Sequence, residues 1–389
     1  MPIPLSYSYR NLLARRLTTL LTAAGMALVV FVFAAVLMLA EGLRRTLVAT
    51  GSYDNVVVLR AGSESEVQSA VSRDQAAIIG SQPEVAADKD GRRLVADEAI
   101  VLVNLPKRVT GKPGNIMIRG VQAVVSPELR REVKLASGRW FKPGSTELVV
   151  GSQIAARFQN AGLGEELRFA MRQWRVVGVL DAGNTGFASE IWGDVEQLLQ
   201  AFRRTGFSSV IMRLRDPAAF PGLKSRLESD PRLPMQVLRE VEFYEAQSRR
   251  LATFIRLLGL VLTAIFSLGA VLGAMVTMYA QVGARTSEIG TLRALGFKRH
   301  HILAAFLLES MLLGCLGWLL GLAPASLLNF ITLSTVNWAN FAELSFKFAL
   351  TPGIILKSLL FGLGMGLLGG LLPALKAARL PLLEALRAA

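Results

Sequence analysis

"ARTSEIGTLRALGFKRHHIL", residues 284–303, is a charged stretch with a helical pattern, set between two long apolar runs. A plain turn between two membrane crossings needs only a few polar residues. So ordered a pattern points to a connector with a task of its own. Ile289, Leu292 and Gly296 fall on one helical face, with Leu295 beside it. Arg285 and Glu288 lie three apart on another face, close enough to pair. Gly290 and Gly296 are placed to bend or end the turns. A short amphipathic helix with a polar back can rest in a groove of a partner, the helix-in-groove mode. The competing reading is a helix lying on lipid headgroups. Glu288 and the lack of Trp weaken it.

The flanking runs belong to a set of four, at about 20–40, 257–282, 302–333 and 354–372. Each holds about 20 residues or more, enough at ~1.5 Å per residue to cross a ~30 Å hydrocarbon core. A hydrophobic share of 52% and a mean hydropathy of +0.43 agree, being higher than soluble domains show. The first run exceeds the roughly 7–15 apolar residues of a signal peptide, and "EGLRRT" is a poor cleavage site, so it reads as an uncleaved signal anchor. The third carries Glu309 and Pro324 and reads as one long, bent helix. Trp338 and Phe341, beyond its far end, suit the membrane interface.

The formal net charge is +14. Much of it follows the positive-inside rule, so nucleic acid is not implied. Arg10, Arg15 and Arg16 precede the first span. Arg285, Arg293, Lys298 and Arg299 fill the connector, and Lys376, Arg379 and Arg387 follow the fourth span. The link between spans three and four has only Glu343 and Lys347. Both termini and the connector are therefore expected in the cytoplasm, with 42–250 outside. Arg44, Arg45, Arg249 and Arg250 argue mildly against this, but large domains cross largely regardless of charge. The expected fold is an α-helical membrane domain of four transmembrane helices plus a large extracytoplasmic α+β domain inserted between helices 1 and 2. The expected layout is a cytoplasmic lead (1–19), first span (20–41), outer domain with helical stalks (42–250) and second span (251–283). The connector (284–301), third span (302–333), outer loop (334–353), fourth span (354–373) and cytoplasmic tail (374–389) follow.

Within the outer domain, strand patterns rich in β-branched residues occur at 55–60, 98–103, 115–121, 147–151, 166–171, 173–180 and 208–214. Helix patterns occur at about 64–80, 152–161, 194–205 and 217–229, with Asp194 and Asp216 at cap positions and Pro217 at a first helical position. "RQW" (172–174) reads as a tight hairpin turn. Segment 240–256 looks helical and joins the second span without a breaker, so it is read as a rigid stalk that carries movement of that span outward. A flexible Gly/Ser linker would decouple the two.

No reaction chemistry is legible. The outer domain has no histidine, hence no Ser-His-Asp arrangement. Asp88, Asp90, Asp97 and Glu98 form its densest acidic cluster and read as a solvated loop. Cys315 is the single cysteine, so no intrachain disulfide forms. His300 and His301 point about 100° apart on a helix, without acidic or Cys neighbours, and read as interfacial cations rather than metal ligands. There is no G-x-x-x-x-G-K-[ST] loop for a nucleotide. "GLGMGLLGG" (362–370) sits inside an apolar run with no strand before it. Its spacing Gly362, Gly366, Gly370 is the small-xxx-small pattern of close helix packing, repeated at Gly269/Gly273 and Gly317/Gly321. Whether these faces pack within one chain or between two is open at this point.

The stretch from Ala284 through "LLESMLLGCLGWLLG" resembles the FtsX/MacB/LolC-type permeases of ABC transporters, nearest their MacB branch. The matching residues are Arg285, Glu288, Ile289, Gly290, Arg293, Ala294, Leu295, Gly296, Ile302, Glu309, Gly317 and Gly321. "LLPALKAARLPLLEALRAA" is similar to the family's close at Pro373, Ala374, Ala377, Ala378, Arg379, Leu380, Glu384, Ala385, Leu386 and Arg387, although Pro381 comes one residue early. "YRNLLARRLTTLL", "LASGRWFKPGSTELVVG" and "RVVGVL" also resemble family stretches, while 55–135 match only loosely. The resemblance implies a type VII, mechanotransmission scheme. The chain is non-catalytic, and ATP and Mg are bound by a separate ABC-type ATPase. The connector, from Arg285 to Gly296 and including Leu292, is the coupling helix on that ATPase. A second permease copy, identical or related, packs around spans one and two. A periplasmic adaptor or lipoprotein and membrane lipid are further partners, and the location is the cell inner membrane.

Glu309, about two turns into the third span, is expected to pair with Arg293, Lys298 or Arg299, since an unpaired carboxylate at mid-bilayer costs ~3 kcal/mol. That pair is structural, with transmission of motion as the lesser reading. Export or extraction of a substrate from the outer leaflet is the leading function. An FtsX-like activator of envelope hydrolases, a LolC/E-like lipoprotein-release subunit and a receptor without ATPase remain alternatives.

Overall fold

The computed structural model describes residues 16–381. The lead with Arg10 and Arg15, and the close with Glu384, Ala385, Leu386 and Arg387, lie outside the described residues. In chain order the elements begin α1 (Arg16–Val48), β1 (Asn55–Arg60), α2 (Arg73–Gly80), β2 (Val95–Pro106), β3 (Pro113–Val121), α3 (Val125–Leu129) and β4 (Lys134–Gly138). They continue with β5 (Glu147–Gly151), α4 (Ser152–Arg157), β6 (Glu166–Phe169), β7 (Arg172–Asp181), β8 (Glu190–Asp194), α5 (Val195–Ala201), β9 (Ser209–Arg213), α6 (Phe220–Ser229) and β10 (Met235–Arg239). The last are α7 (Glu240–Ala284), α8 (Thr286–Ala294), α9 (Arg299–Leu327), β11 (Thr332–Val336), β12 (Glu343–Lys347) and α10 (Pro352–Arg379). Packing divides the chain into two units. One is Gly42–Ala252 with Thr332–Lys347; the other is the chain up to Glu41, Thr253–Ile331 and the chain from Phe348.

In the helical unit, α1, α7, α9 with its closing turn, and α10 are each long and apolar enough to cross a membrane. Their lack of side-chain polarity leaves van der Waals packing to hold them together, and small residues let it be close. A Cβ on Gly314 of α9 would collide with the carbonyl oxygen of Gly362 on α10, and one on Gly366 with that of Ser310. Gly317 and Gly321 stand against the α1 backbone at Ala23 and Ala27 in the same way. These repeats therefore pack within the chain. Gly269 and Gly273 of α7 differ, having nothing within 4 Å of where a Cβ would stand. With Leu28, Val29 and Phe266 they line an apolar groove of about 570 Å³ between α1 and α7. Helix α9 continues through Pro324 to Leu327.

The other unit is a ten-stranded sheet in the order β10-β1-β9-β2-β3-β8-β5-β7-β4, with β6 added on β7. Most neighbours are antiparallel; β3–β8 and β5–β7 are parallel. Alternation of buried residues makes two cores. One gathers Val56, Val58, Val210, Met212, Val237, Leu223 and Ile79. The other gathers Ile116, Ile118, Val150, Ile154, Trp174, Val176 and Ile191. Strand β2 belongs to both halves: Val95–Glu98 pair with β9, and Ala99–Pro106 pair with β3.

Several local expectations change. Only 73–80 of the expected 64–80 helix is helical, because Ser72 and Gln75 close a capping box there. Ahead of it, Ser69 Oγ accepts from Arg60 N–H at 2.9 Å and holds the chain in turns. "RQW" opens β7, and the hairpin turn is Ala170–Met171, whose φ values of 49° and 56° make a primed turn. Asp194 and Asp216 do cap their helices, accepting from Gln197 and Ala218 N–H. Segment 334–353, expected as an outer loop with an interfacial approach, contains the β11–β12 hairpin instead. That hairpin belongs to the sheet-bearing unit, where Arg157 donates to Ser345 Oγ at 2.7 Å, Lys107 pairs with Glu343, and Asn337 donates to Gln247 at 3.2 Å. The strand-favouring Thr, Val and Phe of β11 and β12 outweighed the aromatic-belt signal of Trp338 and Phe341.

Candidate functional site

The connector is a helix, α8, held at both ends. Arg285 precedes it and is buried. Its Nε donates to Glu288 Oε2 at 2.8 Å, its Nη1 to Glu309 Oε2 at 3.0 Å, and its guanidinium lies 5.1 Å from the Phe306 ring centre. One guanidinium thus ties the connector to the first turns of α9. Glu309 pairs with Arg285 rather than with the cations nearer to it in sequence. Of those, Arg293 donates to the Leu380 carbonyl at 2.6 Å, just past α10. At the far end Gly296, at φ +95°, turns the chain out of the helix, and Phe297 N–H returns to the Leu292 carbonyl at 3.2 Å.

The apolar face divides in two. Ile289 is buried among Met278, Val282, Ile302, Phe306 and Ala377 of the helical unit, with Gly290 buried beside it. Ile289, expected on the docking face, thus packs against its own chain. Leu292 and Arg293 are half-buried. Thr291, Ala294, Leu295 and Gly296 are exposed, Leu295 to 73%. Leu295, at the C-cap of the anchored connector helix, is thus a large apolar side chain left uncovered by the rest of the chain.

A second constellation lies inside the sheet-bearing unit, at the point where β2 passes from one core to the other. Arg119 of β3 is fully buried and carries three carboxylates. Its Nε donates to Glu190 at 2.7 Å, and its Nη1 to Glu66 and to Glu98, both at 2.8 Å. Arg130 pairs closely with Glu98 and lies 4.8 Å from the Phe187 ring centre. Arg130 Nε also faces Glu240 Oε1 at 3.4 Å, an ion-pair distance without hydrogen-bond geometry. Burial pushes the Glu98 carboxyl up, but Arg130 and Arg119 outweigh it and hold Glu98 below the usual range. Burial raises Glu240, and there it prevails.

Glu240 is the first residue of α7, and its Oε2 accepts from Ser52 N–H at 3.0 Å and Asn55 Nδ2 at 2.9 Å. A Cβ on Gly51 would collide with the Glu240 and Val241 backbone, so glycine is required by this close approach. The chain leaving α1 and the chain entering α7 are thus clamped together, and the clamp is wired to Arg119 through Arg130 and Glu98. Sequence reading passed over these residues. The available signal was a lone arginine inside the apolar strand "NIMIRGV". The acidic cluster divides: Asp88 and Asp90 pair with Arg92 in an exposed turn, but Glu98 is buried. Burial also pushes half-buried Asp97 up to about 6 against the pull of Arg73.

Residues 19–230 match the model of the MacB-like periplasmic core domain, and residues 260–382 that of the FtsX-like permease C-terminal region. The chain belongs to the FtsX/MacB family of ABC transporter permeases. The macrolide export ATP-binding/permease protein MacB of Bdellovibrio bacteriovorus is 25% identical over 98% of this chain and 61% of its own length. The permease YknZ of Bacillus subtilis is 26% identical over 66% of both chains. This chain spans about 60% of the length of the MacB proteins it matches. The extracellular domain of a YknZ transporter, a solved structure, aligns over 47% of this chain and 99% of its own at 14% identity, with a TM-score of 0.36.

In this permease Pro373 is buried inside α10, and Arg379 is exposed in that helix's last turn, where a cation suits the C-terminal dipole. The His300 and His301 rings meet edge-on with centres 4.2 Å apart, and among the described residues no cluster of three His, Cys, Asp or Glu is placed to hold a metal.

Proposed function

We propose that this permease transmits the motion of a separate ABC-type ATPase through an inner membrane to its outer unit, driving export or extraction of a substrate from the outer side. Its termini and connector face the cytoplasm, and the sheet-bearing domain between its first and second helices faces outward. The observation that carries this reading is the connector. Arg285 fixes α8 to α9, Arg293 fixes it to the end of α10, and Leu295 projects from it. A push on Leu295 would therefore be felt by two membrane helices at once. Helix α7, unbroken from Glu240 to Ala284, supplies a stiff path to the Gly51–Glu240 clamp. No phosphate loop occurs in these residues, so the nucleotide and its Mg are assigned to the partner. The groove between α1 and α7 is assigned to a second copy, whose helix would cover Gly269 and Gly273.

Charge reversal at Glu288 or Arg293 would disturb the helix's own anchors as well as any docking. Leu295→Asp separates the two, because Leu295 is largely exposed and belongs to no core cluster. With the ATPase co-expressed, Leu295→Asp should lower permease-dependent ATP hydrolysis about tenfold or more, roughly 1.4 kcal/mol of lost docking. The thermal midpoint of the isolated permease should stay unchanged. Native mass spectrometry of the wild-type assembly should show two permease copies. Undiminished coupled hydrolysis in the variant would remove α8 as the docking element, and a single copy would remove the groove's assigned occupant.

A further inference from the structure

A cleft of about 550 Å³ opens in the outer unit where the end of β1, the start of α2 and the loop between α5 and β9 meet. Arg60, Arg203 and Arg204 line it with Ser72, Gln75 and Thr205, and none of its lining residues is acidic. Its floor is fixed. Val71 and Phe207 exchange backbone N–H···O bonds of 2.8 Å, and a Cβ on Gly206 would stand only 2.6 Å from the Val71 carbonyl oxygen.

The three arginines are poorly neutralised. Arg204 is half-buried and donates only to neutral acceptors: the Ile100 carbonyl at 2.7 Å, Ser208 Oγ at 3.0 Å and the Ser69 carbonyl at 3.2 Å. Burial holds its pKa below the ordinary value, as expected for a cation without a counter-charge. Arg60 and Arg203 are exposed, and among the described residues neither makes a side-chain hydrogen bond or ion pair. The neighbouring Arg73 is different, being held by Glu196 at 2.6 Å. Three guanidinium groups around one concavity, with no carboxylate, concentrate positive potential and raise the local concentration of anions.

We propose that this cleft binds a phosphate monoester. A carboxylate offers two oxygens and one charge, which a single bidentate guanidinium satisfies. A phosphate monoester offers three oxygens and about two charges near neutral pH, which matches several guanidinium forks converging on one group. The Ser72 and Thr205 hydroxyls add neutral donors at the same rim. The group can arrive on a soluble metabolite or as the headgroup of phosphatidic acid, since both present the same dianion.

The test uses the full chain in detergent, titrated calorimetrically with sn-glycerol 3-phosphate at constant ionic strength in chloride, with acetate as the comparison anion. Saturable one-site binding of the phosphate, with acetate at least about tenfold weaker, is expected. Arg60→Gln/Arg203→Gln should weaken it about 100-fold, near tenfold for each charge-assisted hydrogen bond removed. Neither residue supports the fold, so the unfolding midpoint in chloride should match the wild type, and Arg203→Gln alone should give the intermediate weakening. Repeating the titration in nanodiscs with and without phosphatidic acid assigns the source. Loss of soluble binding in the phosphatidic acid discs marks a headgroup site, and unchanged binding marks a soluble ligand. Absence of saturable binding in detergent and in both discs, or equal affinity in wild type and the double variant, overturns the proposal.

Discussion

Arg119→Met should destabilise the sheet-bearing unit by about 5 kcal/mol at pH 7, the upper part of the range for breaking a buried ion pair, because Glu66 and Glu190 lose their cation and Glu98 keeps only Arg130. Glu66, Glu98 and Glu190 all accept from Arg119, and all are buried. Methionine fills much of the volume, so the loss is electrostatic rather than a cavity. The pH dependence should become shallower. In the wild type Glu98 is held below its ordinary value, so its contribution is present above about pH 4.5, the unfolded value, and is lost as pH falls through the folded pKa. In the variant Glu98 keeps only Arg130 against the same burial, so its carboxyl is held down less and stability is lost less steeply as pH falls. Guanidinium titrations of the full chain, followed by tryptophan fluorescence, check this, since Trp192 donates to Glu190 at 3.0 Å within the cluster. A variant less than about 2 kcal/mol weaker, or with the wild-type pH profile, would mean that the cluster is not a mutually dependent network.

Arg285→Ala should cost about 3 kcal/mol, because it strips the guanidinium from buried Glu309 and unties α8 from α9. Arg285→Ala/Glu309→Gln should recover part of that loss, giving a coupling of about 1–3 kcal/mol in a double-mutant cycle. Glu288→Gln should cost under about 1 kcal/mol, since that carboxylate is half exposed. Thermal unfolding of the detergent-solubilised wild type, Arg285→Ala, Glu309→Gln, the double variant and Glu288→Gln measures these five proteins. Additive losses at Arg285 and Glu309 would sink the claim that one guanidinium holds the connector.

Legibility in the sequence followed the physics of each signal. Long uncharged runs are the strongest sequence signal for membrane helices, and four helices long and apolar enough to cross a membrane lie over them. The Arg285–Glu288 pair was readable because it is local, three residues apart on one helix. The Arg285–Glu309 pair was not, because 24 positions separate the partners and Arg293 offered a nearer cation. The buried cluster was hidden for the same reason: Glu66, Glu98, Arg119, Arg130, Glu190 and Glu240 come from six separate segments, and single-sequence patterns carry no pairing information. Glycine repeats announced close packing but not the partner. Space beside Gly269 and Gly273, against crowding beside Gly317 and Gly366, distinguishes an open face from an intrachain one. The β11–β12 hairpin was masked because 334–353 read as an outer loop at the membrane interface.

Coupling to an ATPase requires α8 to face the cytoplasm, where that partner can reach it. Leu295→Cys in a Cys315→Ser background, probed in intact cells with a membrane-impermeant maleimide, tests this directly. Position 295 should remain unlabelled until the inner membrane is permeabilised, while a cysteine at exposed Tyr53 in the outer unit should react at once. Labelling of position 295 from outside in intact cells would contradict the proposed coupling.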